Sequence, residues 1–186
     1  NHDTKYLHAA PMFHLADFGF NTAIAIVGAC NVFIPSFEPE ATLKAIETHQ
    51  INTSLLVPTM LGMILAHPAF TPERVKSLKR YIYGASPMPE GLLRQALQAM
   101  PHVEFYQAFG QTEMAPVVSV LQPEDHVLEG PKSVRLRSAG LPAVGCEIKI
   151  IDEDGNVVPR GTVGEIAACS PGTMLGYWNL LEQTEK

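Results

Sequence analysis

The sequence of 186 residues has few cysteines and no long apolar run, and both scarcities exclude whole classes of protein. Its three cysteines, Cys30, Cys146 and Cys169, are odd in number and widely spaced, and no CxxC pair occurs. This argues against a disulfide framework and a zinc site, and it fits a reducing compartment, so we expect a cytoplasmic protein. The longest clean apolar run, Ala23 to Cys30, is eight residues. That is less than half of a membrane span, so the sequence predicts no transmembrane segment.

Charge is also scarce, and what there is has the wrong sign for a nucleic-acid partner. Charged residues make up 17% of the chain, and 13 Lys and Arg against 19 Asp and Glu give a net charge of −6. A basic footprint for nucleic acid is therefore absent. The hydrophobic content of 46% supplies a core. So low a charge density predicts apolar faces that other segments cover, and we expect this stretch of chain to self-associate through them.

Several catalytic signatures are missing as well. Ser86 is followed by Pro87, so no Gly-x-Ser-x-Gly hydrolase elbow exists. The chain has no Gly-rich loop ending in Lys-Ser/Thr, no Gly-x-Gly-x-x-Gly and no metal-cage spacing of His, Cys, Asp and Glu. These absences exclude a P-loop nucleotidase, a Rossmann dinucleotide site and a structural zinc site.

The first part of the chain alternates short β-rich runs with helical ones. Strands are predicted at Lys5–Ala10, Asn31–Ile34, Thr53–Val57, Tyr81–Tyr83 and Val103–Phe109, with helices at Leu15–Ala29, Glu40–His49, Met60–Ala66 and Pro89–Met100. The first of these helices is apolar almost all round, as a buried helix should be. Strands separated by helices are typical of βαβ units. We therefore expect an α/β fold with a mostly parallel sheet and flanking helices.

The pattern after residue 116 is different. Val117–Leu121, Val144–Ile151 and Val163–Cys169 are strand-like with little helix between them. The Asp154-Gly155 step favours a hairpin that pairs Glu147–Ile151 with Val157–Val158. We expect an antiparallel, β-rich portion, and we divide the chain into a parallel α/β subdomain at 1–121 and a β-rich subdomain at 122–186.

The candidate site follows from strand geometry. In a parallel sheet the loops that follow the strands gather at one edge, where ligands bind. His14, Pro58-Thr59, Gly84–Pro87 and Gly110–Glu113 each follow a predicted strand. They should therefore lie on one side of the molecule.

Each of these loops has a functional and an ordinary interpretation. The small residues of Gly84–Pro87 allow a flat ligand to approach, or they form a plain strand-to-helix connection. In Phe105–Glu113, an aromatic ring can stack on a base, a threonine hydroxyl can bind phosphate and a carboxylate can bind Mg²⁺. Alternatively, the aromatics are core and Thr112-Glu113 begins a capped turn. For His14 and His8 a structural role is the ordinary expectation, and for Trp178 it is packing.

The motifs taken in order resemble those of the adenylate-forming superfamily. They are Pro11-Met12-Phe13-His14, Gly84-Ala85-Ser86-Pro87, Tyr106–Glu113, Gly164-Glu165 and Gly176-Tyr177-Trp178-Asn179, and together they extend over about residues 6–181. The superfamily includes acyl-CoA synthetases, adenylation domains of peptide synthetases and beetle luciferases. The Phe-His ending resembles the fatty-acyl and aryl-acyl-CoA ligases, because adenylation domains of peptide synthetases usually carry an Asp there. Phe109 departs from the usual Tyr, which keeps a ring for stacking and loses a hydroxyl.

The resemblance implies a function and a role for each matching position. Members join a carboxylic acid to ATP with Mg²⁺, giving an acyl-adenylate, and then transfer the acyl group to CoA as co-substrate; the acid expected here is fatty or aryl. Ser86 and Pro87 resemble the wall beside the adenine of ATP or AMP, and Gln107, Ala108 and Phe109 its floor and hydrogen-bonding edge. The nucleotide-binding residues that the resemblance implies also include Gly84, Ala85, Gly110 and Gln111. Thr112 resembles the α-phosphate contact, Glu113 the Mg²⁺ ligand and His14 the gate to the acyl pocket. The implied catalytic residues are His14, Thr112 and Glu113.

The resemblance also implies elements that this sequence does not contain. Family members carry a phosphate loop with a Lys before the Phe-His motif, and after Lys186 they would carry a Thr-Gly-Asp that holds the ribose and a C-terminal domain with a catalytic Lys. We therefore expect an internal fragment of the large N-terminal domain that is inactive alone. Two alternatives stay open: a non-catalytic nucleotide- or acyl-binding module, and an adenylation domain that feeds a carrier protein.

Overall fold

A computed structural model describes residues 2–185 and contains a seven-stranded sheet whose first five strands are parallel. Those strands are β1 (Lys5–His8), β2 (Cys30–Phe33), β3 (Thr53–Leu55), β4 (Arg80–Gly84) and β5 (Glu104–Gly110). In space they run in the order β2-β1-β3-β4-β5. The expected mostly parallel α/β sheet is confirmed, with every predicted strand in its place.

Helices cover both faces of this sheet. They are α1 (Leu15–Ile26), α2 (Pro39–His49), α3 (Pro58–Ala66) and α4 (Glu90–Ala99). Buried side chains from α2, α3 and α4, such as Leu43, Leu61 and Leu93, pack in one core with Tyr81 and Phe105 of the sheet. The helix α1 lies on the other face, where it contributes Ile24. Successive strand residues point to opposite faces, which is why Tyr6 joins the α1 cluster and Leu7 the larger core.

The prediction that α1 is a buried helix is wrong. Only Asp17 and Ile24 are buried along its length, and Ile26 is 79% exposed. The helix packs on the sheet along one stripe, so its apolar residues on the other sides face outward in the described part of the chain. An apolar surface of this kind is what a covering segment or a partner would bury.

The antiparallel portion begins at the edge of the same sheet. The strand β6 (Val117–Leu121) pairs with β5, and the short β7 (Leu141–Pro142) pairs with β6, both antiparallel. A separate two-stranded antiparallel sheet joins β8 (Glu147–Ile151) to β9 (Glu165–Cys169), and a short helix α5 (Leu181–Thr184) follows. The expected β-rich second half is confirmed. The division of the chain into two subdomains at residue 121 stays a prediction. The strand β7 follows that position and still belongs to the large sheet.

The predicted hairpin forms only at its beginning. Val157 bridges Ile151, and the Val158 amide donates to the Ile150 carbonyl at 2.9 Å. The continuous ladder of β8 is instead with β9. The turn prediction was therefore right and the partner strand wrong, because the residues after Val158, Pro159 onward, leave the ladder and a later strand takes their place.

Among residues 2–185, no helix has both the length and the apolar character that crossing a bilayer requires.

Candidate active site

A cavity of about 590 Å³ lies at the carboxyl edge of the parallel strands. Its lining comes from the segments that follow β1, β3, β4 and β5, together with one side of α1. Of the predicted site residues, those on the cavity are His14, Gly84, Ala85, Ala108, Phe109, Gly110, Gln111, Thr112 and Glu113. The expectation that these loops share one edge of the sheet is confirmed.

Three predicted residues do not line this cavity. Ser86 and Pro87 are exposed beyond Ala85, which the backbone holds in the left-handed region at φ 61°. Gln107 alternates with Ala108 along β5 and so projects to the opposite face of the strand. Its Oε1 is buried and has no hydrogen-bond partner among the residues that the structure describes. An unsatisfied buried amide oxygen is costly, and its burial keeps it out of reach of a ligand in the cavity.

Two glycines allow the strand ends to approach each other. A Cβ on Gly84 would lie 2.1 Å from the Ala108 carbonyl oxygen, and one on Gly110 would lie 1.8 Å from the Pro116 carbonyl oxygen. At Gly110 the register between β5 and β6 also shifts, as at a β-bulge. The sequence suggested that these small residues admit a flat ligand; the structure shows that the neighbouring backbone already requires them.

The turn after Gly110 presents Thr112 and Glu113 to the cavity. Thr112–Met114 forms one turn of 3₁₀-helix after the extended Gln111, whose side chain makes no capping hydrogen bond. The turn ends at Ala115 with φ 58°, a left-handed conformation that reverses the chain into β6. The capped-turn interpretation is therefore not what fixes this segment, and the Thr112 side chain stays at the cavity lining.

A tyrosine far along the chain holds Glu113. The Tyr177 hydroxyl donates to Glu113 Oε1 at 2.6 Å, and the Met174 amide donates to the Glu113 carbonyl at 2.8 Å. The hydrogen bond from Tyr177 lowers the pKa of the Glu113 carboxyl from its ordinary value. The same bond raises the pKa of the Tyr177 phenol, because ionising it would place two negative charges side by side. Glu113 is therefore an anion at neutral pH.

Sequence reasoning missed two residues of this region. It treated Gly176-Tyr177-Trp178-Asn179 as a turn before a helix, and no periodicity signals a contact across 64 positions. It also gave no role to Asp17, which is completely buried and lines the cavity. The packing expected of Trp178 is wrong, because the residue is 89% exposed.

His14 and His8 occupy different environments, as the sequence suggested. His14 is exposed at the beginning of α1, lines the cavity and has its ring 4.6 Å from that of Phe13. His8 is buried within β1 and forms hydrogen bonds with Asp17 and Asn31. The structural role expected of His8 agrees with these contacts.

A divalent cation at this site would have one protein carboxylate. Within residues 2–185 no group of three or more His, Cys, Asp and Glu side chains is arranged to hold a metal ion. Mg²⁺ commonly binds through one or two carboxylates together with substrate phosphates and water. The ionised Glu113 beside the Thr112 hydroxyl fits that mode of binding. It does not fit a site in which protein side chains supply every ligand.

Comparison with known proteins agrees with this geometry. Residues 1–178 match the family described as AMP-binding enzymes. The indoleacetate–CoA ligase of Aromatoleum aromaticum is 33% identical over 97% of this chain, which covers 34% of that ligase. The structure of an amide bond synthetase from Marinactinospora thermotolerans superposes with a TM-score of 0.85 at 32% identity, over 98% of this chain and 36% of that one.

A third similar protein has been solved with nucleotide and metal. The o-succinylbenzoate CoA synthetase of Bacillus subtilis, in complex with ATP and magnesium, gives a TM-score of 0.83 at 29% identity, covering 98% of this chain and 36% of that protein. The chain thus spans about a third of the length of each of these proteins. The chain belongs to the family of AMP-binding enzymes.

Proposed function

We propose that the protein containing this chain is an AMP-forming acid–CoA ligase that activates a fatty or aryl carboxylic acid. One observation carries the proposal: an anionic, hydroxyl-bearing turn and an apolar wall line the same cavity. Thr112 and Glu113 supply the first, and Phe20, Leu55 and Met60 are part of the second. A phosphate-bearing nucleotide and a hydrophobic acid can therefore meet there.

The reaction joins two anions and needs their charges neutralised. A carboxylate oxygen of the acid attacks the α-phosphorus of ATP, the bond to the bridging oxygen breaks, and pyrophosphate leaves. The CoA thiol then attacks the acyl carbonyl and AMP leaves, the thiol proton passing to base or solvent. Donors aimed at the phosphate oxygens lower the barrier because negative charge is redistributed over them in the transition state.

Each residue of the site has a part in this scheme. The Thr112 hydroxyl donates to an α-phosphate oxygen, and Phe109 offers a ring for the base to stack on. The Gly84–Pro87 segment lies beside the base, whereas Gln107 points to the opposite face of β5 and takes no part in binding at this cavity. His14 lies between the nucleotide end of the cavity and the apolar end.

Magnesium fits this set of residues. Glu113 is ionised and lies beside Thr112, and its second carboxylate oxygen is not the one that Tyr177 engages. When bound, Mg²⁺ supplies positive charge to the phosphate oxygens and the leaving group. The chain itself keeps Glu113 oriented through Tyr177 and Met174.

The names of two similar proteins support a carboxylic acid as the substrate and CoA as the acyl acceptor. One is named for ligating indoleacetate to CoA, and a solved neighbour for o-succinylbenzoate CoA synthesis. A cytoplasmic location and self-association through exposed apolar faces, such as Ile26 on α1, stay predictions.

Acid-dependent exchange of pyrophosphate into ATP tests the function. We expect the protein, expressed at the full length its gene encodes, to exchange labelled pyrophosphate only when Mg²⁺ and a carboxylic acid are present, and to form acyl-CoA when CoA is added. Exchange without acyl-CoA would favour a carrier protein or another acceptor. Nucleotide binding with no exchange for any fatty or aryl acid would contradict the ligase and support a non-catalytic module.

A further inference from the structure

A buried polar cluster lies beneath α1 and reaches the cavity. It consists of Tyr6, His8, Asp17 and Asn31. His8 Nδ1 lies 2.8 Å from Asp17 Oδ1, and its Nε2 lies 2.8 Å from Asn31 Oδ1. The Tyr6 hydroxyl donates to the same Asp17 oxygen at 3.4 Å. Asp17 has no exposed surface and His8 is 2% exposed.

The hydrogen bonds set the net charge of the cluster. Asn31 Nδ2 donates to the Asn21 carbonyl, so the Asn31 oxygen is the atom that faces His8 and can only accept. His8 Nε2 must then carry a proton. His8 Nδ1 lies 2.8 Å from Asp17 Oδ1, so one proton lies between these two atoms. Whichever atom holds that proton, the His8–Asp17 pair carries no net charge.

This pairing uses only one oxygen of Asp17. The other, Oδ2, is buried and has no hydrogen-bond partner in the described residues. A carboxylate oxygen left unsatisfied away from water is strongly unfavourable. Asp17 is also one of the residues that line the cavity, and the apolar residues Phe20, Leu55 and Val57 belong to the same lining. The unsatisfied acceptor therefore belongs to a buried residue at the border of the cavity.

We propose that Asp17 Oδ2 accepts a hydrogen bond from a hydroxyl or N–H group on the acyl portion of the acid. This rests on the proposed function, because it places the acid in this cavity. A neutral donor fits better than an ammonium group, since the His8–Asp17 pair carries no net charge. The site then selects acids that carry a neutral donor over acids of the same shape that are all hydrocarbon.

Matched pairs of acids test the proposal on the full-length protein. Suitable pairs are 4-hydroxycinnamate with cinnamate, indole-3-acetate with its N-methyl derivative, and ω-hydroxydodecanoate with dodecanoate. We expect kcat/KM in pyrophosphate exchange to favour the donor-bearing acid by about 10- to 100-fold in at least one pair, because an acid without a donor leaves the buried Oδ2 unsatisfied.

The variant Asp17→Asn separates recognition from structure. Its amide oxygen can still accept from His8, while its NH₂ replaces Oδ2 and offers a donor in place of an acceptor. The preference for the donor-bearing acid should therefore fall to about onefold or reverse. Tyr6→Phe is the control, because it removes only the bond to Oδ1 and should leave the ratio unchanged. A purely structural Asp17 would lower activity on both acids equally.

Calorimetric titration of the same pairs measures binding without chemistry. Selective binding of donor-bearing acids with no exchange would contradict the proposed function and support this inference. Ratios near one for every pair, a ratio that Asp17→Asn leaves unchanged, or no binding of any acid would overturn it. If the variant does not fold, as judged by urea unfolding, the wild-type ratios alone decide.

Discussion

Replacement of Glu113 by glutamine is expected to lower kcat for pyrophosphate exchange by about 10²–10³-fold, the usual effect of removing one electrostatic contact in a transition state. Glutamine keeps the shape of the side chain and can still accept from the Tyr177 hydroxyl. It removes the negative charge that would hold Mg²⁺. Because that charge matters most while charge shifts on the phosphates, kcat should fall more than nucleotide affinity.

The matched control is Glu153→Gln, which removes one carboxylate charge from an exposed turn after β8. It should leave kcat and KM unchanged. Titration calorimetry with AMP shows whether nucleotide binding survives in Glu113→Gln. If the Glu113→Gln enzyme works at the wild-type rate at saturating Mg²⁺, Glu113 is not part of the metal site.

Replacement of Gly110 by alanine is expected to cost about 3 kcal/mol of unfolding free energy, at the upper end of what over-packing costs. The added Cβ would meet the Pro116 carbonyl oxygen at 1.8 Å. No side-chain rotation relieves this contact, because the position of a Cβ is fixed by its own backbone and the oxygen belongs to the backbone of Pro116. The strands β5 and β6 must separate there, and the Thr112–Glu113 turn moves with them. A displacement of about 1 Å in a site costs about 10²-fold in rate, so kcat/KM should fall at least that far.

Gly19→Ala makes the same chemical change as Gly110→Ala, and we expect it to change the free energy of unfolding in the opposite direction. Gly19 lies within α1, and a Cβ there has no atom within 4 Å in the described structure. Alanine should stabilise the helix by about 0.5–1 kcal/mol. Urea unfolding of the two variants beside the wild type measures both. Equal stability of Gly110→Ala and Gly19→Ala would contradict the close approach of the strands.

The parallel half of the fold was predictable because local signals repeat there. Each strand is a short β-rich run that ends at a proline, a glycine or a polar loop, as at Val57-Pro58 and Gly84. Placing the strands in order also placed their loops at one edge, and this is why most of the predicted site residues line the cavity.

The contacts that sequence reasoning missed are long-range. Nothing in the local pattern relates Tyr177 to Glu113, since the loop that contains Tyr177 has no regular period. Likewise, Asp17 lies in an apolar helix where only the tertiary structure shows that it pairs with His8. The apolar character of α1 predicted burial on all sides, whereas burial depends on which neighbours are present. Such features depend on packing between distant segments and not on local propensity.

The structure of the full-length protein with AMP, Mg²⁺ and the preferred acid tests the central claim most directly. The account predicts adenine between the Gly84–Pro87 segment and Phe109, the α-phosphate at Thr112, the metal at Glu113 and the acyl group against Asp17 and the apolar wall. A nucleotide bound elsewhere on the molecule, or an acid bound outside this cavity, would contradict it.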